Sequence, residues 1–216
     1  MGSLLAYSGI STKVRAMEGR LITDQQLREM CQLDSVQAAA EFLKNHSAYR
    51  ELFTDLEDSM LHRAGIERLL MISLYRDFSK LYRFSNLAQR KFLNLYFMHY
   101  EIVIIKRCLR NVLGHQHEEI DLAMFQDFFD RHSKIDLVRL ATSANLEEFI
   151  ANLEGSPYFT LLDRLKDTDN PTIFDYEIQL DLLYFHAMWK STEKLLTKEE
   201  RRILAQSFGT RLDLLN

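Results

Sequence analysis

Apolar side chains recur every three or four residues along most of this chain, most clearly between residues 66 and 113. The first tract places them at Ile66, Leu69, Leu70, Leu74, Tyr75, Phe78, Leu81 and Tyr82. One face of an α-helix repeats at this interval. Ser85 and Asn86 interrupt the pattern before a second tract over 87–113, which Gly114 is expected to cap. At 1.5 Å per residue each helix would be about 40 Å long, so the spacing predicts two long consecutive helices.

Turn-forming residues are scarce. The 216 residues include seven Gly and two Pro, whereas ordinary proteins contain about 7% Gly and 5% Pro. A β-sandwich or barrel needs a turn signal about every 8–12 residues. No Gly-x-Gly and no Gly-Lys-Ser/Thr occurs, so P-loop and Rossmann folds are excluded as well.

Shorter helical segments flank the long tracts. Thr23 followed by Gln26 has the spacing of a capping box, and Ser35 is placed to open the next helix. After Gly114, short helices are predicted to begin near Asn145 and at Pro157, with Pro157 in the first turn. A last long tract begins near Ile173 and restarts after Thr197. The expected fold is therefore all-α and elongated, with clusters of short helices and long paired helices.

Charge and hydropathy narrow the class of protein further. The formal net charge is −4 with a pI of about 6.0, which is not the basic footprint of a nucleic-acid-binding protein. The N-terminus lacks the pattern of a signal peptide. No apolar run approaches the roughly 20 residues of a membrane span. Cys31 and Cys108 lie far apart among apolar neighbours and are interpreted as buried free thiols of a reducing compartment.

Basic residues are concentrated on the long helices. The segment from residue 80 to 110 contains one acid, Glu101, and seven bases, which are Lys80, Arg83, Arg90, Lys91, Lys106, Arg107 and Arg110. Solvated helix faces would produce such a run. A basic helix pair that docks an acidic partner would produce it too. We expect Arg83, Arg90 and Lys91, near the junction of the two helices, to contribute to a partner surface.

Signals for catalysis are weak. The chain has no Gly-x-Ser-x-Gly nucleophile elbow and no His-Glu-x-x-His pair. His115 and His117 would share a metal only in an extended loop, since residues i and i+2 do not face one way on a helix. An enzyme using this His pair on a metal remains one alternative. The sequence otherwise predicts no catalytic residue, no cofactor and no metal.

The helical layout occurs twice. Tyr49, Leu74-Tyr75, Arg90–Leu93 and Glu101 of the first half correspond in order to features of the second half, at a spacing of roughly 110 residues. Those features are Tyr158, Leu183-Tyr184, Arg201–Leu204 and Asp213. The order predicts a first helical repeat over 1–114 and a second over 115–216. The second repeat stops shortly after Asp213, so we expect the natural protein to be longer.

Two stretches resemble one known family. Residues 7–22, with Lys13-Val14-Arg15-Ala16-Met17-Glu18 at their centre, resemble the opening of the C subunit of A/V-type rotary ATPases, which is called the d subunit in eukaryotic V-ATPases. Lys13 stands where that family has Arg. Residues 101–110 look like the family's first acid-bearing long helix, and residues 209–216 look like the start of the second. The family has three helical repeats, of which fewer than two would be present here.

The resemblance implies a function without an active site. Members of the family are non-catalytic subunits on the cytoplasmic face of the membrane. They form a socket between the central-stalk subunits D and F and the membrane proteolipid ring, and they couple ATP hydrolysis or synthesis to ion transport. No cofactor, small-molecule substrate or nucleic acid is implied. The alternative from a different class is a soluble helical-repeat module that binds proteins unrelated to ATPases.

Overall fold

The computed structural model describes residues 2–54, 61–114 and 123–213. Within those ranges every regular element is a helix, so the predicted all-α class is confirmed. By packing, the chain divides into two compact units, Met1–Asn86 and Leu87–Asn216. Each unit is described by itself below.

The described residues of the first unit form five helices. They are α1 (Gly2–Glu18), α2 (Asp24–Met30), α3 (Val36–Asn45), α4 (Arg50–Phe53) and α5 (Arg63–Phe84). Helix α3 packs on α4, and α1 packs on α5. Ala40, Leu43, Phe53 and Ile66 form a buried cluster between α3, α4 and α5. Burial of a large aliphatic or aromatic side chain contributes about 1.5–3 kcal/mol, so this cluster holds the short helices against the long one.

The predicted N-caps of α2 and α3 are confirmed, whereas α1 begins at Gly2 rather than at the expected Tyr7. The Thr23 hydroxyl accepts from the backbone N–H of Gln26, and the Gln26 side chain accepts in turn from the N–H of Thr23, completing the capping box of α2. The Ser35 hydroxyl accepts from the N–H of Ala38 at the start of α3. Ser85 ends α5, and its hydroxyl donates to the carbonyl of Leu81.

The interpretation of Cys31 as a buried thiol is wrong. Cys31 is exposed and free, whereas Cys108 is buried and free as predicted. Cys31 is the C-cap of α2, a seven-residue helix that buries none of its residues. The apolar neighbours of Cys31 in the sequence therefore do not enclose it, because the helix that precedes it lies at the surface.

The second unit is built around α6 (Leu87–Gly114). It continues with α7 (Ala123–His132), α8 (Leu137–Ala141), α9 (Leu146–Ala151), α10 (Phe159–Lys166), α11 (Ile173–Leu195) and α12 (Lys198–Asp213). Helix α6 packs against α8, α9 and α11, and α10 packs against α9 and α11. The side chains at the centre of this unit are large and almost fully buried, and they include Phe97, Ile104, Leu109, Phe129, Leu140, Phe149, Tyr158, Leu162, Tyr176 and Leu180.

Two helix ends differ from the sequence prediction. Gly114 is the last residue of α6 rather than a cap beyond it. Helix α10 begins at Phe159, so Pro157 precedes the N-cap residue Tyr158 instead of lying in the first turn. Tyr158 is fully buried, and its side chain makes no capping hydrogen bond to the helix. Asn145 caps α9 as predicted, through its side-chain oxygen and the N–H of Glu148.

The boundary between the compact units, after residue 86, is not the predicted repeat boundary at residue 114. A repeat is defined by correspondence in sequence and a compact unit by packing, and α6 packs on helices that follow it. The division into repeats over 1–114 and 115–216 therefore stays a prediction.

Candidate functional site

The three basic residues predicted to bind a partner lie on two helices. Arg83 is exposed in the last turn of α5, in the first unit. Arg90 and Lys91 are neighbours in the first turns of α6, in the second unit, where Arg90 is half-buried and Lys91 is exposed. Because consecutive residues of a helix point about 100° apart, Arg90 and Lys91 cannot share one direction.

Two other cations of the basic segment form ion pairs with acids of α11. Lys106 Nζ lies 2.6 Å from Asp181 Oδ2 on α11, with side chains only 16% and 24% exposed. Arg110 makes a bidentate pair with Glu177, with Nε 2.5 Å from Oε1 and Nη2 2.9 Å from Oε2. The hydrogen bond from Arg110 lowers the pKa of the Glu177 carboxyl. Both bases therefore bind α11, Lys106 through a mostly buried side chain and Arg110 through a side chain that is 56% exposed.

The pairs also establish how α6 and α11 run. Four residues forward on α6, from Lys106 to Arg110, correspond to four residues backward on α11, from Asp181 to Glu177. The helices are thus antiparallel. We call the contact between α6 and α11 the seam. The rings of His99 and Tyr184 lie farther along it, with centroids 5.6 Å apart. Lys91 belongs to the end of the seam opposite Arg110.

At that opposite end the two helices leave an open groove of about 400 Å³. Lys91, Asn94 and Leu95 of α6 line one side, and Ser191 and Lys194 of α11 line the other. Within the described structure, neither lysine forms an ion pair. The side chains of Asn94 and Ser191 make no hydrogen bond there either. The groove is positively charged, carries hydrogen-bonding groups, and includes one aliphatic side chain.

Glu101 is buried in the centre of the second unit, with 8% of its surface exposed. Among the Asp, Glu, Lys and Arg residues whose burial the structure describes, Glu101 is the only buried one. The Ser133 hydroxyl donates to Oε1, and the Tyr158 hydroxyl donates to Oε2 over 2.6 Å. Burial raises the pKa of the Glu101 carboxyl, although the two hydrogen bonds act in the opposite direction.

This acid joins three separate segments. Glu101 lies on α6, Ser133 follows α7, and Tyr158 precedes α10. Burial and the neighbouring negative charge raise the pKa of the Tyr158 hydroxyl, so it remains a donor across the physiological range. In the sequence Glu101 is a lone acid and a repeat position, and this cross-linking role was not predicted for it. The signal for this role in the sequence is a single acid within an apolar helical stretch. Such an acid needs hydrogen-bond donors when it is buried.

The described residues contain no group of three or more His, Cys, Asp or Glu side chains that would hold a metal ion. His115 and His117, the predicted alternative metal pair, lie outside the described residues. The acid with the most unusual surroundings, Glu101, has both oxygens occupied by hydroxyl donors. Its arrangement supports structural cross-linking of helices.

Comparison with known proteins identifies the family. Residues 10–216 match the family described as "ATP synthase (C/AC39) subunit", and this chain belongs to that family. Its relatives include the C subunit of the A-type ATP synthase of Methanosphaera stadtmanae, 25% identical over 97% of this chain and 52% of the relative. The corresponding protein of Methanocaldococcus jannaschii is 24% identical over 99% of this chain and 53% of the relative.

The A-type ATP synthase C subunit of Pyrococcus abyssi is also similar, with 24% identity over 94% of this chain and 52% of the relative. The chain thus spans about half the length of the curated relatives it matches. No solved structure gives a significant match. None of the described helices is long and apolar enough to cross a membrane.

Proposed function

We propose that this chain is part of a non-catalytic subunit that couples the central stalk of a rotary A/V-type ATPase to its membrane proteolipid ring. Its partners would be stalk subunits D and F on one side and the ring on the other, at the cytoplasmic face. The observation that carries the proposal is the family match over residues 10–216. The same match argues against a helical-repeat module unrelated to ATPases.

A coupling element must transmit force without yielding, and the second unit has features that suit this task. Helices α6 and α11, of 28 and 23 residues, are joined by two ion pairs. Glu101 ties α6 to two further segments. Close-packed interiors have low compressibility and transmit strain. Ion pairs with partly buried side chains oppose sliding of one helix along the other, because sliding by one turn would separate each charge from its partner.

Arg83, Arg90 and Lys91 are proposed as part of the partner surface. Arg83 and Lys91 are exposed, as a docking role requires. Acidic groups on a partner would complement the three cations and would accelerate encounter. Substitution of all three by Glu is expected to weaken stalk or ring binding while the helical circular dichroism of the chain is retained.

The direct test is co-purification from native membranes. An affinity-tagged form of the full-length protein that contains this chain is expected to retain the ATPase and to bind a purified D/F pair in solution. Two measurements decide the matter: mass spectrometry of the retained proteins, and the dissociation constant for D/F. Absence of both interactions would refute the proposal. An interaction of unchanged strength for the triple variant would refute only the assignment of the three residues.

A further inference from the structure

The seam between α6 and α11 has two ends of opposite chemistry. At one end, each cation of α6 meets an acid of α11, as in Lys106–Asp181 and Arg110–Glu177. At the other end, Lys91 of α6 and Lys194 of α11 line the two sides of the open groove. At the first end the residues of α11 that face the cations of α6 are acids. At the second end the residue of α11 that lines the groove with Lys91 is a lysine, Lys194.

No ion pair in the described structure neutralises this second end. Lys91 and Lys194 have no ion-pair partner there, and Lys190, one turn before Lys194, is exposed as well. Glu193 is adjacent to Lys194 in sequence but does not line the groove. Two cations that line one groove would both attract an anion placed between them. The amide of Asn94 and the hydroxyl of Ser191 would supply further hydrogen bonds to it.

The shape and lining of the groove favour a protein partner over a membrane. Basic residues that bind an anionic bilayer do so close to its surface, whereas these line a recess between two helices. Leu95 adds an apolar contact, which suits a side chain of a polypeptide. The volume of about 400 Å³ is enough for a few side chains and not for a folded domain.

We propose that the Lys91–Lys194 groove is a docking site for an acidic segment of a partner protein, which places one or two carboxylates between the lysines and an apolar side chain against Leu95. The identity of the partner as an ATPase subunit rests on the proposed function. The preference for an acidic segment does not rest on the proposed function, since the groove lysines would attract such a segment from any protein partner.

Carbodiimide cross-linking tests this directly, because it couples a lysine amine to a carboxylate only when the two are in contact. Native membranes carrying the full-length protein are treated with carbodiimide, and the joined peptides are identified by mass spectrometry. Lys91 or Lys194 is expected to be joined to an Asp or Glu of another protein. The variant K91E/K194E should lose these products and weaken partner binding at least tenfold. K134E, at an exposed lysine before α8, should leave binding unchanged.

Three results would overturn the proposal. One is the absence of any cross-link from either lysine to another protein. The second is unchanged binding of K91E/K194E, or of the uncharged K91M/K194M if the reversal variant loses its helicity. The third is protection of both lysines from acetylation by vesicles of 30% phosphatidylglycerol and 70% phosphatidylcholine, with no protein cross-link, which would assign the groove to the membrane. Cross-links to a protein outside the ATPase would support the groove and refute the proposed function.

Discussion

The Tyr158 hydroxyl donates a hydrogen bond of 2.6 Å to Oε2 of Glu101, between residues 57 positions apart in sequence. The bond joins the middle of α6 to the start of α10 inside the second unit. Since the Ser133 hydroxyl donates to the other carboxylate oxygen, each oxygen of Glu101 accepts one hydrogen bond. Buried polar groups are tolerated when they are hydrogen-bonded in this way. Removal of one donor should therefore lower the free energy of unfolding of the second unit.

Tyr158→Phe is expected to reduce the free energy of unfolding by about 1–3 kcal/mol, because it leaves a buried carboxylate oxygen without a donor. Urea unfolding followed by the fluorescence of Trp189, on α11 of the same unit, measures this. Tyr176→Phe is the matched control. The Tyr176 ring is equally buried, but its hydroxyl has no hydrogen-bond partner among the described residues. The control should lie within about 0.5 kcal/mol of wild type. Equal effects of the two substitutions would contradict the role of Tyr158.

Glu101→Gln should change how stability depends on pH. Burial raises the pKa of Glu101 above its ordinary value of 4.5, so the folded state binds more protons than the unfolded state between 4.5 and the raised pKa. Stability of the wild type must then fall as pH rises through that interval. The variant lacks this contribution and should lose less stability over the same range. Thermal unfolding at a series of pH values measures the difference, with Glu154→Gln at an exposed position as control. Parallel profiles for all three proteins would show that Glu101 does not titrate as inferred.

The Lys106–Asp181 pair should stabilise the seam more than a surface pair does. We expect a coupling free energy of about 1–2 kcal/mol from a double-mutant cycle of Lys106→Met and Asp181→Asn, since both side chains are mostly buried. The exposed pair Lys80–Asp77 should give about 0.5 kcal/mol or less. A coupling for Lys106–Asp181 no larger than that of the surface pair would show that the ion pair does not secure α6 to α11.

Thr172→Ala should destabilise the start of α11 by about 1 kcal/mol, because Thr172 forms the capping box with Asp175. Thr160→Ala, at an exposed position within α10, is expected to change stability by less than about 0.5 kcal/mol. Hydrogen exchange of the amides in the first turn of α11 would locate the effect. Unchanged exchange in that turn would mean that packing, not the cap, defines where α11 begins.

The two cysteines should differ in reactivity toward a thiol reagent. Cys31 is exposed, whereas burial raises the pKa of the Cys108 thiol to about 12. The thiolate is the reactive form, so one thiol per chain is expected to react at neutral pH in the folded protein and two after unfolding. Cys31→Ser should abolish the reaction of the folded protein. A rapid reaction of Cys108 in that variant would contradict its burial.

The sequence by itself determined the all-helical class and several helix starts of this protein, because periodicity and capping are local. The steps of three and four residues from Ile66 onward became α5. Thr23, Ser35 and Asn145 cap helices through bonds to residues only three positions away. The stretch 7–22, together with residues 209–216, was distinctive enough to indicate the family.

Tertiary structure alone decided what the charged residues do. Seven bases in one segment looked alike in sequence, yet Lys106 and Arg110 bind acids on α11, while Lys91 faces a lysine across a groove. Glu101 acquired its role from Ser133 and Tyr158, which lie 32 and 57 residues away. The burial of Cys108 and the exposure of Cys31 likewise depend on which helices pack over them. Such pairings are set by how distant helices pack, and no local pattern of residues encodes that geometry.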